Sequence, residues 1–332
     1  MSLFASVSIA EIKARGSIKD ADVVRLRKNF AEASSVSLAE IDLLRSLNDA
    51  CPIQDQAWTA CFVDIVTDFI VAEAEPEGYM NAQKCALLRS WIAPAGLVET
   101  KAKLDLLINV IASSRWAPLS LVVFGLEQVY QAVLTNSGPL RAGRVFEPRT
   151  VTEGDVAVLR QILQSFTTEG LEGVTREEAG VLLDIDRATA TSINHPAWGQ
   201  LVAAGVGSAV LAASGYAAPP RFQSLSRAGW QTLDPDLDDI LAGRQAPVSS
   251  VLREFRALSR EERAILRLSQ QKVGIVTRED LPAYDTAWFA DYLAAPANRT
   301  PNVLALLKLF KRDGIRLDAR LQAFVDQIPL AA

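Results

Sequence analysis

The stretch "GQLVAAGVGSAVLAASGYAAPP", residues 199 to 220, carries no charged residue and is nearly long enough to cross a bilayer. Read as a membrane span, it would make this a membrane protein. Its apolarity, however, comes largely from Ala and Gly, which contribute little insertion free energy. The choice between a span and a buried helix rests on a second stretch far upstream, "TACFVDIVTDFIVAEAEPEGY", residues 59 to 79, to which it corresponds.

That correspondence is part of a longer one. One pattern runs "DVVRLR", "VSLAEIDLL", "QAWTACFVDIV" and "GYM", and a second runs "DVAVLR", "VTREEAGVLL", "PAWGQLVAAGV" and "GYA". Asp22 matches Asp155, Leu26 matches Leu159, Arg27 matches Arg160, Glu40 matches Glu178, Leu44 matches Leu182, and Trp58 matches Trp198. Order and approximate spacing are kept, as in an internal repeat. The upstream copy carries Asp64, Asp68 and further acids, which do not belong in a bilayer. Trp58, Phe62, Ile65 and Phe69 recur there at helical spacing and define a buried stripe. Trp198, Val202, Gly205 and Ala209 take the same stripe downstream, with small residues that admit a close neighbouring helix. A soluble, helical reading follows, with no membrane span.

The remaining chain reads the same way. "KLDLLINVIASSRW", "LSLVVFGLEQVYQAVL", "EERAILRLSQQ" and "NVLALLKLFKRDG" place apolar residues three and four apart, and no run of alternating β-branched residues suggests a strand. Pro, Gly and Ser cluster at residues 135 to 150 and 234 to 250, the expected boundaries between units. The expected fold is all-α. It comprises a first helical repeat with an added helical pair (1–145), a second repeat (146–240) and a C-terminal helical unit (241–332).

Helix starts are marked by capping boxes, in which a Ser or Thr hydroxyl accepts from an amide three residues on while an acid there reaches back. "SVSLAE" ends at Glu40, "GVTREE" at Glu178 and "GIVTRED" at Asp280, and "SREE" from Ser259 and "TEGD" from Thr152 are similar. The same spacing resembles the second half of an EF-hand loop. In "LEGVTREEAGVLLDID", residues 171 to 186, Val174 would stand at loop position 8 and Glu178 at position 12. Position 1 is then Thr167, position 3 Glu169 and position 5 the apolar Leu171, with Glu172 where glycine should make the sharp turn. The arrangement resembles uncharacterised bacterial all-helical proteins with duplicated, ligand-depleted turns of this kind, and distantly the tellurite-resistance B-like helical domains. That resemblance implies a helix-loop-helix scaffold and supplies no catalytic residue.

Each chemical candidate has a structural alternative. Asp64 and Asp68, four apart, share a helix face and are candidates for a cation, as are Glu169 and Glu178; on the wheel the first two fall in the polar sector. The single histidine, His195, excludes any multi-histidine metal site and stands in "NHPAW" where a helix cap belongs, opposite Asp55 of "QDQAW". Asp184 and Asp186 in "DIDRA", matching Asn48 and Asp49 of "SLNDA", read as turn formers at a helix end. Trp58 and Trp198 read as core anchors rather than pocket walls. Cys51, Cys61 and Cys85, three with no CxxC spacing, suggest buried thiols in a reducing compartment rather than disulfides or a zinc site.

A net charge of -5 without a dense basic run argues against nucleic acid as the main partner. The N-terminus "MSLFASVSIAEIKARG" lacks the features of a secretory signal, so a cytoplasmic location is expected. No Walker loop, GxGxxG, GxSxG or HExxH occurs, and neither a catalytic residue nor a cofactor is expected. The expected function is a non-enzymatic interaction or scaffold role, with an unknown protein partner or self-association. The alternatives are a small-ligand or divalent-cation sensor and, third, an enzyme using an unrecognised site.

Overall fold

The computed structural model describes residues 3–4, 7–33, 35–143, 145–164, 173–214, 216–217, 256–257, 287–315 and 317–329. Glu169, the boxes at Ser259 and Asp280, the "EERAILRLSQQ" helix and the boundary at 234–250 lie outside the described residues. The fold is all-α: among the described residues no strand exceeds two residues. The chain divides into two compact units, Met1–Ser114 and Arg115–Ala332.

The first unit holds α1 (Ile9–Arg15), α2 (Asp20–Glu32), α3 (Leu38–Ala50), α4 (Trp58–Thr67), α5 (Ala82–Ile92) and α6 (Lys101–Ser113). Gly16, at φ 65°, ends α1 in the left-handed conformation, and Ser37 and Glu40 open α3 with a complete capping box. Asn81 and Thr100 cap α5 and α6 by accepting the Lys84 and Lys103 amides. A two-residue parallel ladder joins β1 (Ser17–Ile18) to β2 (Ile53–Gln54), tying the entry of α2 to the turn before α4.

The expected stripe on α4 holds for Trp58, Phe62 and Ile65, all buried, but not for Phe69. After Thr67 the helix widens into a π-helical turn, Asp68–Glu73. The wider turn delays the inward face by a residue, so Ile70 and Val71 are buried while Phe69 lies half-buried with its ring 6.5 Å from Trp91. The turn also carries Glu73 to the start of α3, where both carboxylate oxygens accept the Val36 amide, at 3.1 and 2.8 Å.

The second unit holds α7 (Leu119–Thr135), α8 (Glu153–Gln164), α9 (Arg176–Ala188), α10 (Ala197–Ala213), α11 (Trp288–Ala294), α12 (Pro301–Arg312) and α13 (Ala319–Gln327). An antiparallel two-residue ladder pairs Tyr216–Ala217 with Arg256–Ala257. These bounds differ from the expected ones. α7, assigned from sequence to the first repeat, packs on α8 and α9, and α12, assigned to a separate C-terminal unit, packs on α10. The apolar α10 is buried along Trp198–Leu211, which explains its lack of charge without a bilayer. Among the described residues no helix is long and apolar enough to cross a membrane. A Cβ on Gly205 would fall 2.5 Å from Leu182 Cδ1, so this glycine lets α9 and α10 approach closely.

Candidate functional site

The second unit is organised around Asp186, in the last turn of α9 and only 1% exposed. Its Oδ1 accepts from the Trp198 indole Nε1–H of α10 at 3.1 Å and from Asn302 Nδ2 of α12 at 2.6 Å. Its Oδ2 accepts from the hydroxyl of Thr300, the residue that caps α12. Three helices thus meet on one carboxyl. Burial pushes its pKa up, and the donors from Thr300, Asn302 and Trp198 offset this only in part. Beside it, Tyr292 donates to the Leu183 carbonyl at 3.4 Å, and burial raises its phenol to about 12. Asp186 is therefore a structural junction rather than the turn former expected from "DIDRA"; its neighbour Asp184 remains on the surface, paired with Arg187 at 2.8 Å.

The first unit sets a neutral residue at the matched position, where the indole bond recurs. Trp58 Nε1–H donates to Asn48 Oδ1 at 3.0 Å, and Asn48 stands where the second pattern has Asp186. Other bonds recur at matched positions. The Asp55 amide donates to Ile18 O at 2.9 Å and the His195 amide to Val151 O at 2.9 Å. Asp55 Oδ1 accepts the Ala57 amide at 2.9 Å and His195 Nδ1 accepts the Ala197 amide at 3.3 Å. Gln54 Nε2 donates to Cys51 O at 3.0 Å, and Asn194 Nδ2 to Thr189 O at 3.0 Å. His195 is thereby a cap at the start of α10, as its place opposite Asp55 suggests.

Arginines meet two of the boxed acids. Arg141 makes a two-pronged contact with Asp155, Nη1 to Oδ1 at 2.6 Å and Nη2 to Oδ2 at 2.8 Å, while Asp155 Oδ2 also accepts the Thr152 amide and hydroxyl, each at 2.8 Å. This pair is 4% and 0% exposed. In the first unit Arg15 pairs with Asp22, which also accepts the Lys19 amide at 3.0 Å, but these side chains are 33% and 11% exposed.

The cation candidates do not converge. Glu178 is buried, and its Oε2 accepts the Thr175 amide at 2.7 Å and hydroxyl at 2.8 Å in a capping box. Asp64 and Asp68 are exposed, the former 3.9 Å from Arg27, and Glu169 lies outside the described residues. Among the described residues, no group of three or more His, Cys, Asp or Glu is placed to hold a metal ion. The three cysteines are buried free thiols. Cys61 has a basic neighbour, Arg27, yet burial outweighs it and the thiol is pushed up; burial likewise raises Cys51. Lys84 is buried, its ammonium donating to Ala74 O and, at 2.8 Å, to Pro76 O, and burial lowers its pKa.

One open feature of the first unit was not anticipated: a shallow cleft beside Asn48, whose walls include Arg45 and Asp49 of α3, Phe62 of α4, Trp91 of α5 and Lys103 of α6. The Arg45 guanidinium lies 4.8 Å from the centre of the Trp91 ring. The sequence signal is a further matched segment, "IAPAGLVETKAKLDLL" (92–107) against "AAPANRTPNVLALL" (294–307), which sets Thr100 against Thr300 and Lys103 against Val303. No family model, curated protein or solved structure matches the chain.

Proposed function

We propose that the chain is a non-enzymatic helical interaction protein, built from one duplicated module whose turns are structural descendants or look-alikes of EF-hand turns. The observation that carries this reading is the use of its interior acids. Asp155, Glu178 and Asp186, the acids that would serve chemistry, all accept from caps, an arginine or an indole within their own unit. In the EF-hand arrangement the acid closing the loop goes to the metal; at Asp155 the chain's own Arg141 supplies the positive charge. The duplication is supported by the recurrence of the indole bond and of the Asp55 and His195 caps at matched positions.

Matched isoleucines add a surface to this reading. Ile53 and Ile193 occupy equivalent places before α4 and α10 and are 70% and 95% exposed, whereas Leu44 and Leu182, also matched, are buried. Two exposed aliphatics at one repeated position suit protein contact better than catalysis.

The test is native mass spectrometry of the full chain with and without calcium. Expected is a protein free of retained small molecule and indifferent to calcium, whose assembly state or partner binding changes on Ile53→Asp or Ile193→Asp. A stoichiometric calcium adduct that disappears with Glu178→Gln would replace this reading with the cation sensor, and a retained organic ligand would point to the enzyme.

A further inference from the structure

Leu3, ahead of α1, is held by the first unit as a peptide ligand is held by a groove. Its amide donates to Glu40 Oε1 at 2.7 Å, its carbonyl accepts from Asn29 Nδ2 at 2.8 Å, and the residue is only 1% exposed. Both main-chain groups and the side chain of one residue are read together, which is the chemistry by which extended segments are recognised. Glu40 does this while its other oxygen, Oε2, accepts the Ser37 amide at 3.0 Å and hydroxyl at 2.8 Å in the capping box of α3.

The clamp is particular to the first unit. Asn29, 4% exposed, matches Ile162 of the second pattern, an aliphatic that is fully buried. The helix therefore does not require a polar residue at this position. A buried amide is costly unless its donors are used, and the Leu3 carbonyl gives Asn29 an acceptor.

A turn directs Leu3 back into its own unit. The Val7 amide donates to Phe4 O at 3.1 Å, and α1 begins two residues later at Ile9. With that turn opened, the residues from Phe4 to Ser8 form a link of about 17 Å when extended. A second copy presents the same clamp and carries the same leucine, so each contact made within one chain can be made between two. The chain's own leucine is the occupant whose fit is displayed, and a second copy is a source that is always present.

We propose that the residues before α1 form an exchangeable arm: Leu3 of one chain enters the Asn29 and Glu40 clamp of a second copy, and the reciprocal exchange makes a two-fold dimer. The proposal rests on the interaction reading above and makes self-association through this clamp its form. No contact changes in kind, so the turn and the chain concentration set the balance between closed monomer and exchanged dimer.

The experiment is native mass spectrometry of the full chain across a range of concentrations. Ala5→Pro with Ser6→Pro holds the link extended and prevents the turn between Phe4 and Val7, so the arm points away from its own clamp. Expected is a dimer fraction about ten-fold or more above that of the wild type at equal concentration. Adding Leu3→Asp to the two prolines should return the chain to monomer, as should adding Asn29→Leu, which places an aliphatic there as the second pattern does. Independently of the prolines, isotopically heavy and light wild-type chains mixed at high concentration should give a dimer of intermediate mass that Leu3→Asp abolishes.

A diproline chain that folds and stays monomeric, or a dimer that Leu3→Asp leaves intact, would overturn the exchange. If the diproline chain fails to fold, absence of the mixed wild-type dimer overturns it. A monomer whose Leu3→Asp form binds the peptide acetyl-Ser-Leu-Phe-Ala-amide would overturn the second copy and leave a leucine-bearing segment of another protein as the occupant. These failures are separate from failure of the interaction reading, which the Ile53→Asp and Ile193→Asp variants judge.

Discussion

Asn48 and Asp186 stand at matched positions of the two sequence patterns and do different work. Each receives an indole N–H, from Trp58 at 3.0 Å and from Trp198 at 3.1 Å. The neutral Asn48 takes one further, longer bond from the nearby Gln54 and leaves a cleft beside it, whereas the buried acid Asp186 recruits Thr300 and Asn302 and so fastens α12 to α9 and α10. A change of one atom type at the centre of a helix junction is thus coupled to whether the flank is open and charged or closed and apolar. The cost of an unpaired buried carboxyl explains the coupling: once an acid stands there, the neighbouring helix must bring donors to it.

The arginine pairs are the bluntest way to break the comparison. Arg141→Met strands Asp155 in the interior and should cost about 3–5 kcal/mol in urea unfolding, while Arg15→Met, at a partly exposed pair, should cost less than about 1 kcal/mol. Equal losses would mean that the two boxes are energetically alike despite their difference in burial. Next in size is Asp186→Ala, which leaves the donors of Trp198, Thr300 and Asn302 without an acceptor and should cost roughly 3 kcal/mol. The reciprocal Asn48→Asp removes the donor to Asp49 and sets two acids side by side, with Arg45 and Lys103 near enough to offset part of the penalty, and should destabilise by about 1 kcal/mol at neutral pH.

Caps give effects of similar or smaller size. Thr175→Ala should cost about 1–2 kcal/mol and Ser37→Ala about 0.5–1 kcal/mol, because Thr175 is buried with Glu178 whereas the Ser37 box is solvent-exposed. Asp186→Asn is the smallest change and the most informative about pH. Burial raises the folded pKa above the ordinary 3.8, so the folded state binds the proton more tightly than the unfolded chain. Its contribution is present in full below that ordinary value and is lost as pH rises through the folded pKa. Asp186→Asn should remove this slope while altering stability near pH 4 by under about 1 kcal/mol, as judged from urea midpoints across pH.

Much of this arrangement is local and therefore legible. The boxes at Glu40, Glu178 and Asp155, the cap at His195 and the stripes of α4 and α10 all follow from residues within one or two turns of each other. The rest depends on distant chain. "DIDRA" shows two acids at a helix end, but Asp186 is buried by Thr300, 114 residues away, and no local pattern separates it from the exposed Asp184. Phe69 was misplaced because helical spacing assumes a regular turn, and the π-turn after Thr67 breaks it. The stripe of α7 shows that the helix packs, not on which neighbour, so its place with α8 and α9 was not readable. Lys103 looks like an ordinary surface charge until residues 92–107, matched with 294–307, set it against the buried Val303.

The most direct measurement uses the two tryptophans as reporters within one molecule. Indole N–H signals of Trp58 and Trp198 would be followed by NMR from pH 3 upward, with Asp186→Asn as the assignment control. Expected is a titration at Trp198 with a midpoint above 3.8 and a flat response at Trp58, whose partner Asn48 cannot ionise. A Trp198 signal that ignores pH, or that titrates below 3.8, would contradict a buried, proton-holding Asp186 and with it the contrast between the two junctions.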